Sequence, residues 1–268
     1  MAVRLARFVP VSIALAFVLV APVWISRPTP VAASTESSMS STILGLLNQD
    51  RSAAGLVPYR VDSRLAGLAT NRAQWMASTG DMSHNSYGGA IFDAVAMVGV
   101  NAYSSAEAVG STTATFGPDA GTYLYGLWRG SPEHWGFMMS STFNYIGVGV
   151  GYQASTGASY ASLVFAEAPD VSSPVVQMTG SGLSGHTVFY TWTGRDGQLQ
   201  THTAGLANFD VEYRVDTGVW KVISAHTTAT QIIIANRIPG HTYSVRVRDR
   251  DRRNNLSSWS STRTVRVH

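Results

Sequence analysis

The chain has 268 residues, 45 % of them hydrophobic and 13 % charged, which excludes a disordered tail and leaves room for two compact domains. It contains no cysteine, so disulfide stapling and thiol catalysis are both excluded. The formal net charge of +3 is unevenly spread: residues 34–170 hold 5 basic against 10 acidic side chains, and residues 171–268 hold 11 against 6.

The N-terminal segment, residues 1–33, reads as a signal peptide, or as a membrane anchor if it stays uncut. Arg4 and Arg7 precede the apolar run "FVPVSIALAFVLVAPVWI" (8–25), and Val31 and Ala33 are small residues before a cleavage point. Either way the remainder is expected to be extracellular, secreted or held at the cell surface. Two helices follow. "STILGLLNQDRSAAG" (41–55) carries Ile43, Leu44, Leu47 and Ala54 on one stripe, and its Asn48 and Arg51 read as structural ties to neighbours. "DSRLAGLATNRAQWMASTG" (62–80) starts at a capping Asp62, repeats Leu65, Leu68, Ala69 and Met76, and stops at Gly80. "IFDAVAMVG" (91–99) and "DAGTYLYGLWRG" (119–130) are shorter helices. In "GSPEHWGFMM" (130–139), Ser131 and Pro132 predict another helix start, with His134 in its first turn. Two apolar strands come next, "YIGVGVGYQ" (145–153) and "ASYASLVFAEA" (158–168). Helices before strands predict an α+β layered domain.

After "APDVSSP" the pattern changes to seven short strands at regular spacing, from "VVQMTG" (175–180) to "TRTVRVH" (262–268), which predicts an all-β sandwich. Trp192 and Tyr190 are expected in its core. "VRVRDRDRR" (245–253) alternates in sign within a strand and reads as a solvated face. Nucleic acid is therefore not an expected partner; weak adhesion to anionic wall polymers is the alternative. "IPGHTYSVRVRD", with "WTG", "FDVEYRV" and "SSWS", resembles a fibronectin type III domain, in which the tyrosine matched by Tyr243 bonds back to the preceding turn.

Chemistry-bearing residues in the first domain are few: His84 in "MSHNS", Glu107 in "SSAEAVGS", and Glu133 with His134 in "SPEHW". A helical zinc-protease pairing, a nucleophile elbow and a phosphate loop are all absent from the sequence. The order of these motifs, from "LNQDRSAAGLVPYRVDSRLAGLATNRAQWMASTGDMSHNS" through "AEAVG" and "LWRGSPEHWGFMMSSTFNYIGVGVGY" to "YASLVF", resembles the bacterial branch of the CAP superfamily, the SCP/PR-1-like secreted domains, over about residues 40–168. The resemblance implies an α-β-α sandwich (36–168) with an open cleft, followed by the immunoglobulin-like fibronectin type III sandwich (172–268). It places His84, Glu107 and His134 in the cleft, with His134 aimed at His84 and Glu107 holding the pair. Glu133, in the same turn, is the fourth candidate cleft residue, its alternative being simply an acid favoured by the helix dipole.

Two histidines beside a carboxylate could hold Zn²⁺ or another divalent cation loosely and in a pH-dependent way, His84 and His134 being the ligands; such a metal is not expected to be essential for folding. The family's "GEN" is here Ala106-Glu107-Ala108, Phe137 replaces a polar position, and Leu163 replaces a glutamine. Trp128, Trp135, Phe137, Met138 and Met139 are expected mainly in the core. Three readings stand at this level. One is a non-catalytic binder of a small lipid, sterol or glycan ligand. The second is a peptidase-like hydrolase, with His84 or His134 as base and Ser83, Ser86 or water as nucleophile. The third is a wall-adhesion protein carried by the β domain.

Overall fold

The structure is a computed structural model that describes residues 30–268; the predicted signal or anchor segment lies, up to residue 29, outside the described residues. Among the described residues, no helix is long and apolar enough to cross a membrane. The N-terminal half is a three-layer α-β-α unit. Its helices are α1 (Pro30–Ala53), α2 (Ser63–Thr79), α3 (Ile91–Met97), α4 (Pro118–Arg129) and α5 (Pro132–Met138), and its strands are β1 (Arg60–Val61), β2 (Ser104–Thr112), β3 (Tyr145–Gln153) and β4 (Ala158–Glu167). The sheet order is β1-β3-β4-β2, with β1 parallel to β3 and the other pairs antiparallel. Alternation along the strands divides the core in two. Ala106, Ala108, Ile146, Leu163 and Phe165 face α1, α4 and α5, whereas Tyr145, Val164 and Ala166 face α2 and α3.

Helix α1 starts at Pro30, ahead of the predicted residue 41, and its buried stripe of Met39, Ile43 and Leu47 packs against α4. Near its end, fully buried Arg51 donates to Val57 O, Met138 O and Ser140 O, and Asn48 exchanges two hydrogen bonds with the Tyr59 backbone. Both residues are therefore the structural ties their spacing suggested.

Helix α2 has the predicted ends. The Asp62 carboxylate accepts from the amides of Arg64 and Leu65, and Gly80 closes the helix in the left-handed region at φ 74°. Burial pushes the Asp62 carboxyl up, but these amides and the Arg64 guanidinium more than offset it and hold the group below its ordinary value. Stabilisation from a depressed carboxyl is complete above its unfolded value, near pH 4, and disappears as pH falls through the lower folded value. We expect Asp62→Ala to lower stability by about 1 kcal/mol at pH 7. The gap between variant and wild type should close in urea melts at about pH 2–3; a gap unchanged there would show that the cap charge contributes nothing.

The C-terminal half comprises β5 (Val175–Ser184), β6 (Thr187–Arg195), β7 (Leu206–Val215), β8 (Lys221–Thr227), β9 (Gln231–Ile234), β10 (Thr242–Asp251) and β11 (Arg263–Arg266). They form two sheets, β5-β6-β9 and β11-β10-β7-β8, around Tyr190, Trp192, Phe209, Val245 and Val247. Tyr190 Oη donates to Tyr243 O, and Tyr243 Oη accepts from the Ile238 amide at 3.0 Å.

The solvated-face reading of 245–253 holds for only one sign. Arg246, Arg248 and Arg250 face outward, pair with Glu212 and Asp210, and the first two stack with Trp259. Asp249 and Asp251 point inward and are 0 % and 1 % exposed. Residues 196–205, between β6 and β7, reach into the first half. Leu199 is buried beside Val164 and Tyr145, Gln200 Oε1 accepts from the Val57 amide, and Asn144 donates to Thr201 O.

Candidate functional site

Strand β2 is the free edge of the first sheet, and Glu107 lies at its centre opposite Val164. That register turns the Glu107 side chain toward α2, where Arg72 occupies the same stripe as Leu65, Leu68, Ala69 and Met76. The two side chains are buried together, 1 % and 0 % exposed. Arg72 Nε donates to Glu107 Oε1 at 2.6 Å and Nη2 donates to Oε2 at 2.8 Å, the bidentate fork that a planar guanidinium and a carboxylate favour. Ser162 Oγ, on β4, donates to Oε1 at 2.8 Å, and His84 Nδ1 lies 2.9 Å from Oε2. Four donors thus surround one carboxylate.

The remaining N–H groups of Arg72 hold the chain that carries His84. Nη1 donates to Tyr87 O and Gly89 O, and Nη2 donates to His84 O at 2.7 Å. Gly88 and Gly89 adopt φ 85° and 78°, which lets this short segment fold back over the guanidinium. A carboxylate only accepts, so the neutral His84 ring carries its proton on Nδ1 and leaves the Nε2 lone pair free. The ring is 57 % exposed, so Nε2 opens onto solvent.

Beside this ring is an open cleft of about 260 Å³ lined by His84, Ile91, Ser105, Ala106, Glu107, Glu133 and Phe137. Ile91, Ala106 and Phe137 give it an apolar wall. Ser105 Oγ is buried without a hydrogen-bond partner, and Glu133 is exposed at the start of α5.

Three of the four predicted site residues, His84, Glu107 and Glu133, therefore meet at one cleft. His134 does not line it: its Nδ1 lies 2.9 Å from Ser131 Oγ, so the N-cap serine engages this ring and caps no backbone amide. Glu107 holds His84 alone. Glu133 lines the cleft, and so does Phe137, which was expected in the core, whereas Trp128 and Met138 are core. Leu163 is fully buried among Ala108 and Phe165 on the α1/α4 side and does not reach the cleft.

Of the atoms that a metal at His84 and His134 would use, Nδ1 of each ring is already engaged, by Glu107 and by Ser131. Both Glu107 oxygens already have two partners each, the His134 ring is tied to Ser131, and His84, Glu107 and His134 do not form a close group of three donors among the described residues. The serines named as nucleophiles are also placed otherwise. Ser83 Oγ donates to Asp81, and the buried Ser86 Oγ has no hydrogen-bond partner.

Two site residues had no place in the sequence reading. Arg72 carried a signal, a lone cation on an otherwise apolar helical stripe. Ser162 carried none beyond its position two residues from Val164 on the same strand face.

Residues 44–165 match the family model "CAP: Cysteine-rich secretory protein family". No curated protein matches the chain. Among solved structures, an extracellular protein containing an SCP domain from Bacillus anthracis is 22 % identical, with a TM-score of 0.45 over 53 % of this chain and 45 % of that one. A cysteine-rich secretory protein from Staphylococcus aureus is 23 % identical, with a TM-score of 0.40 over 49 % and 39 %. The chain thus spans less than half the length of either. An Fn3-like protein from Clostridium thermocellum is 18 % identical, with a TM-score of 0.27 over 36 % of this chain and 96 % of that one. Helices on both faces of the β1-β3-β4-β2 sheet, a cleft at its β2 edge and the family match over 44–165 together identify the first domain as a CAP domain.

Proposed function

We propose that this is a secreted or cell-surface binding protein that does no chemistry, whose CAP cleft takes a small ligand, or one end of a larger one, with an apolar part and a polar head. The carrying observation is the saturation of Glu107. With Arg72, Ser162 and His84 all on its carboxylate, it orients a ring and has no lone pair free to take a proton from a substrate. What faces the cleft is a recognition surface: the His84 ring, Glu133, and the Phe137 and Ile91 walls. Lipid, sterol and glycan ligands all have that mixed character. Neither Ser83 nor Ser86 is bonded to His84, so neither hydroxyl is poised as a nucleophile beside that ring. The reading includes no essential metal.

The second domain, in this reading, is a fibronectin type III module that spaces the CAP domain from the surface or attaches it to a wall polymer. The three-plus-four strand order and the hydrogen bond from the Ile238 amide to Tyr243 Oη support that assignment. Export rests on the basic N-region and apolar run of residues 1–33.

The test uses the full chain and a fluorescent fatty acid, cis-parinarate, as the probe. His84→Ala and His134→Ala are expected to fold, each shifting Tm by no more than about 4 °C, since each loses one hydrogen bond at a ring that is not fully buried. Phe137→Ala should weaken probe binding by roughly tenfold or more. Cleavage of an unbiased peptide library by wild type and not by His84→Ala would replace this reading with the hydrolase. Full retention on purified wall material by residues 171–268 alone would make adhesion the main activity.

A further inference from the structure

Where the two domains meet, carboxylate oxygens of Asp170, Asp196 and Asp251 lie within 4.8 Å of one another. They come from three separate places: the stretch between β4 and β5, the loop after β6, and the end of β10. Asp170 and Asp251 are 2 % and 1 % exposed. Asp196 is half-buried, and three like charges at this separation repel one another strongly unless something neutralises them. No Arg, Lys or His does so: among the described residues, no ion pair reaches any of the three.

A fourth acid, outside this group, points the same way. Asp249 lies two residues before Asp251 on the inward face of β10, is fully buried, and has no hydrogen-bond partner on either carboxylate oxygen. Ser257 Oγ accepts from the Asp249 amide and donates to Ser258 O. The space it occupies exists because residue 194 is glycine; a methyl group there would stand 2.8 Å from Asp249 Oδ2. Asp196 Oδ1 is also buried without a partner, while Oδ2 accepts from the Gly205 amide.

The other donors around the group are backbone amides and neutral side chains. Asp170 accepts from Ser172, Tyr145 Oη and the Ala204 amide, and Asp251 accepts from the Arg253 and Asn255 amides and from Asn255 Nδ2. They fix the carboxylates in place without cancelling their charge. Every candidate ligand atom is an oxygen, with no nitrogen or sulfur donor in the group, and such a set selects a hard cation such as Ca²⁺ over Zn²⁺.

We propose that Asp170, Asp196 and Asp251, backed by Asp249, form a Ca²⁺ site that clamps the interdomain stretch to the β sandwich. The clamp controls more than local order. Asp196 opens the loop that buries Leu199 and hydrogen-bonds Gln200 and Thr201 to the CAP domain. Asn255 Nδ2 also bridges Asp251 to Asp170 O. Cation binding therefore sets how firmly the two domains are joined. This does not depend on what the CAP cleft binds.

The test is calorimetric titration of the chelator-treated full chain with CaCl₂, paired with thermal melts. One Ca²⁺ per chain should bind with a dissociation constant on the order of 0.1–1 mM, and about 10 mM Ca²⁺ should raise Tm by roughly 4–8 °C. Asp196→Asn should weaken binding at least tenfold and abolish the Tm rise, and the exposed Asp119→Asn should change neither. Should Asp196→Asn not fold, Asp170→Asn serves as the second variant. Absence of heat and of any Tm rise at 10 mM Ca²⁺ in folded wild type overturns the site, as does a Tm rise of equal size in Asp196→Asn. So does a rise in Tm on Asp249→Asn without Ca²⁺ together with an unresponsive wild type, the outcome expected if protons alone neutralise the group.

Discussion

Glu107→Ala is expected to lower the stability of the CAP domain by about 3–5 kcal/mol, a large share of what a domain has. The loss comes less from the missing contacts than from what they leave behind. Arg72 remains fully buried with its charge uncompensated, and Ser162 Oγ and His84 Nδ1 lose their acceptor. Replacing the whole pair, as in Arg72→Met with Glu107→Leu, should recover part of this, because a buried ion pair is often no more stable than apolar side chains of similar volume. Recovery should stay incomplete. Arg72 also satisfies the carbonyls of His84, Tyr87 and Gly89, and leucine and methionine supply no donors for them. Urea melts of the two singles and the double give the coupling energy directly. A Glu107→Ala variant within about 1 kcal/mol of wild type would mean that the guanidinium finds water on its own and that the site is not held as described.

That ion pair also shows where sequence reasoning stopped. The frame of α2 was readable from Asp62, Gly80 and its apolar repeat, and the seven later strands from their spacing. Arg72 was readable too. A cation at position 72 of a stripe running from Leu65 through Ala69 to Met76 is either exposed, breaking the face, or buried with a counter-charge. Strand β2 was harder. "SSAEAVGST" has one β-branched residue before its last and no aromatic, so its propensity for a strand is low. Its small side chains suit a strand packed closely beneath α4 and α5, which is a property of the tertiary structure. The motif order brought His84 and Glu107 to one place. The side to which the His134 ring turns depends on one rotamer and on Ser131, and neither leaves a trace in spacing. The opposite lesson comes from "VRVRDRDRR". Charges that alternate along a strand are separated across it, so a run that looks balanced places arginines on one face and aspartates on the other.

Gly149→Ala, a single added methyl group, is expected to destabilise the CAP domain by about 3 kcal/mol or more, beyond the usual penalty for overpacking. The reason is geometric. Gly147, Gly149 and Gly151 occupy one face of β3, and α2 lies along that face with its backbone against them. Two residues of strand advance about 6.6 Å and four residues of helix about 6.0 Å, so the two repeats stay nearly in step. Gly147 meets Leu65, Gly149 meets Ala69 and Gly151 meets Ala73 as successive rungs. A Cβ at 149 would overlap the Ala69 carbonyl carbon and the Thr70 amide nitrogen, which are backbone atoms with no rotamer to yield. Relief requires lifting α2 off the sheet. Arg72 would move with it, away from Glu107, so the same substitution should also release His84 and weaken binding at a cleft whose lining does not include residue 149. Gly126→Ala on the exposed side of α4, where a new methyl meets nothing within 4 Å, is the matched control and should be neutral or stabilise by up to about 1 kcal/mol. Equal melting curves for the two alanine variants would show that α2 does not press against β3 in this way.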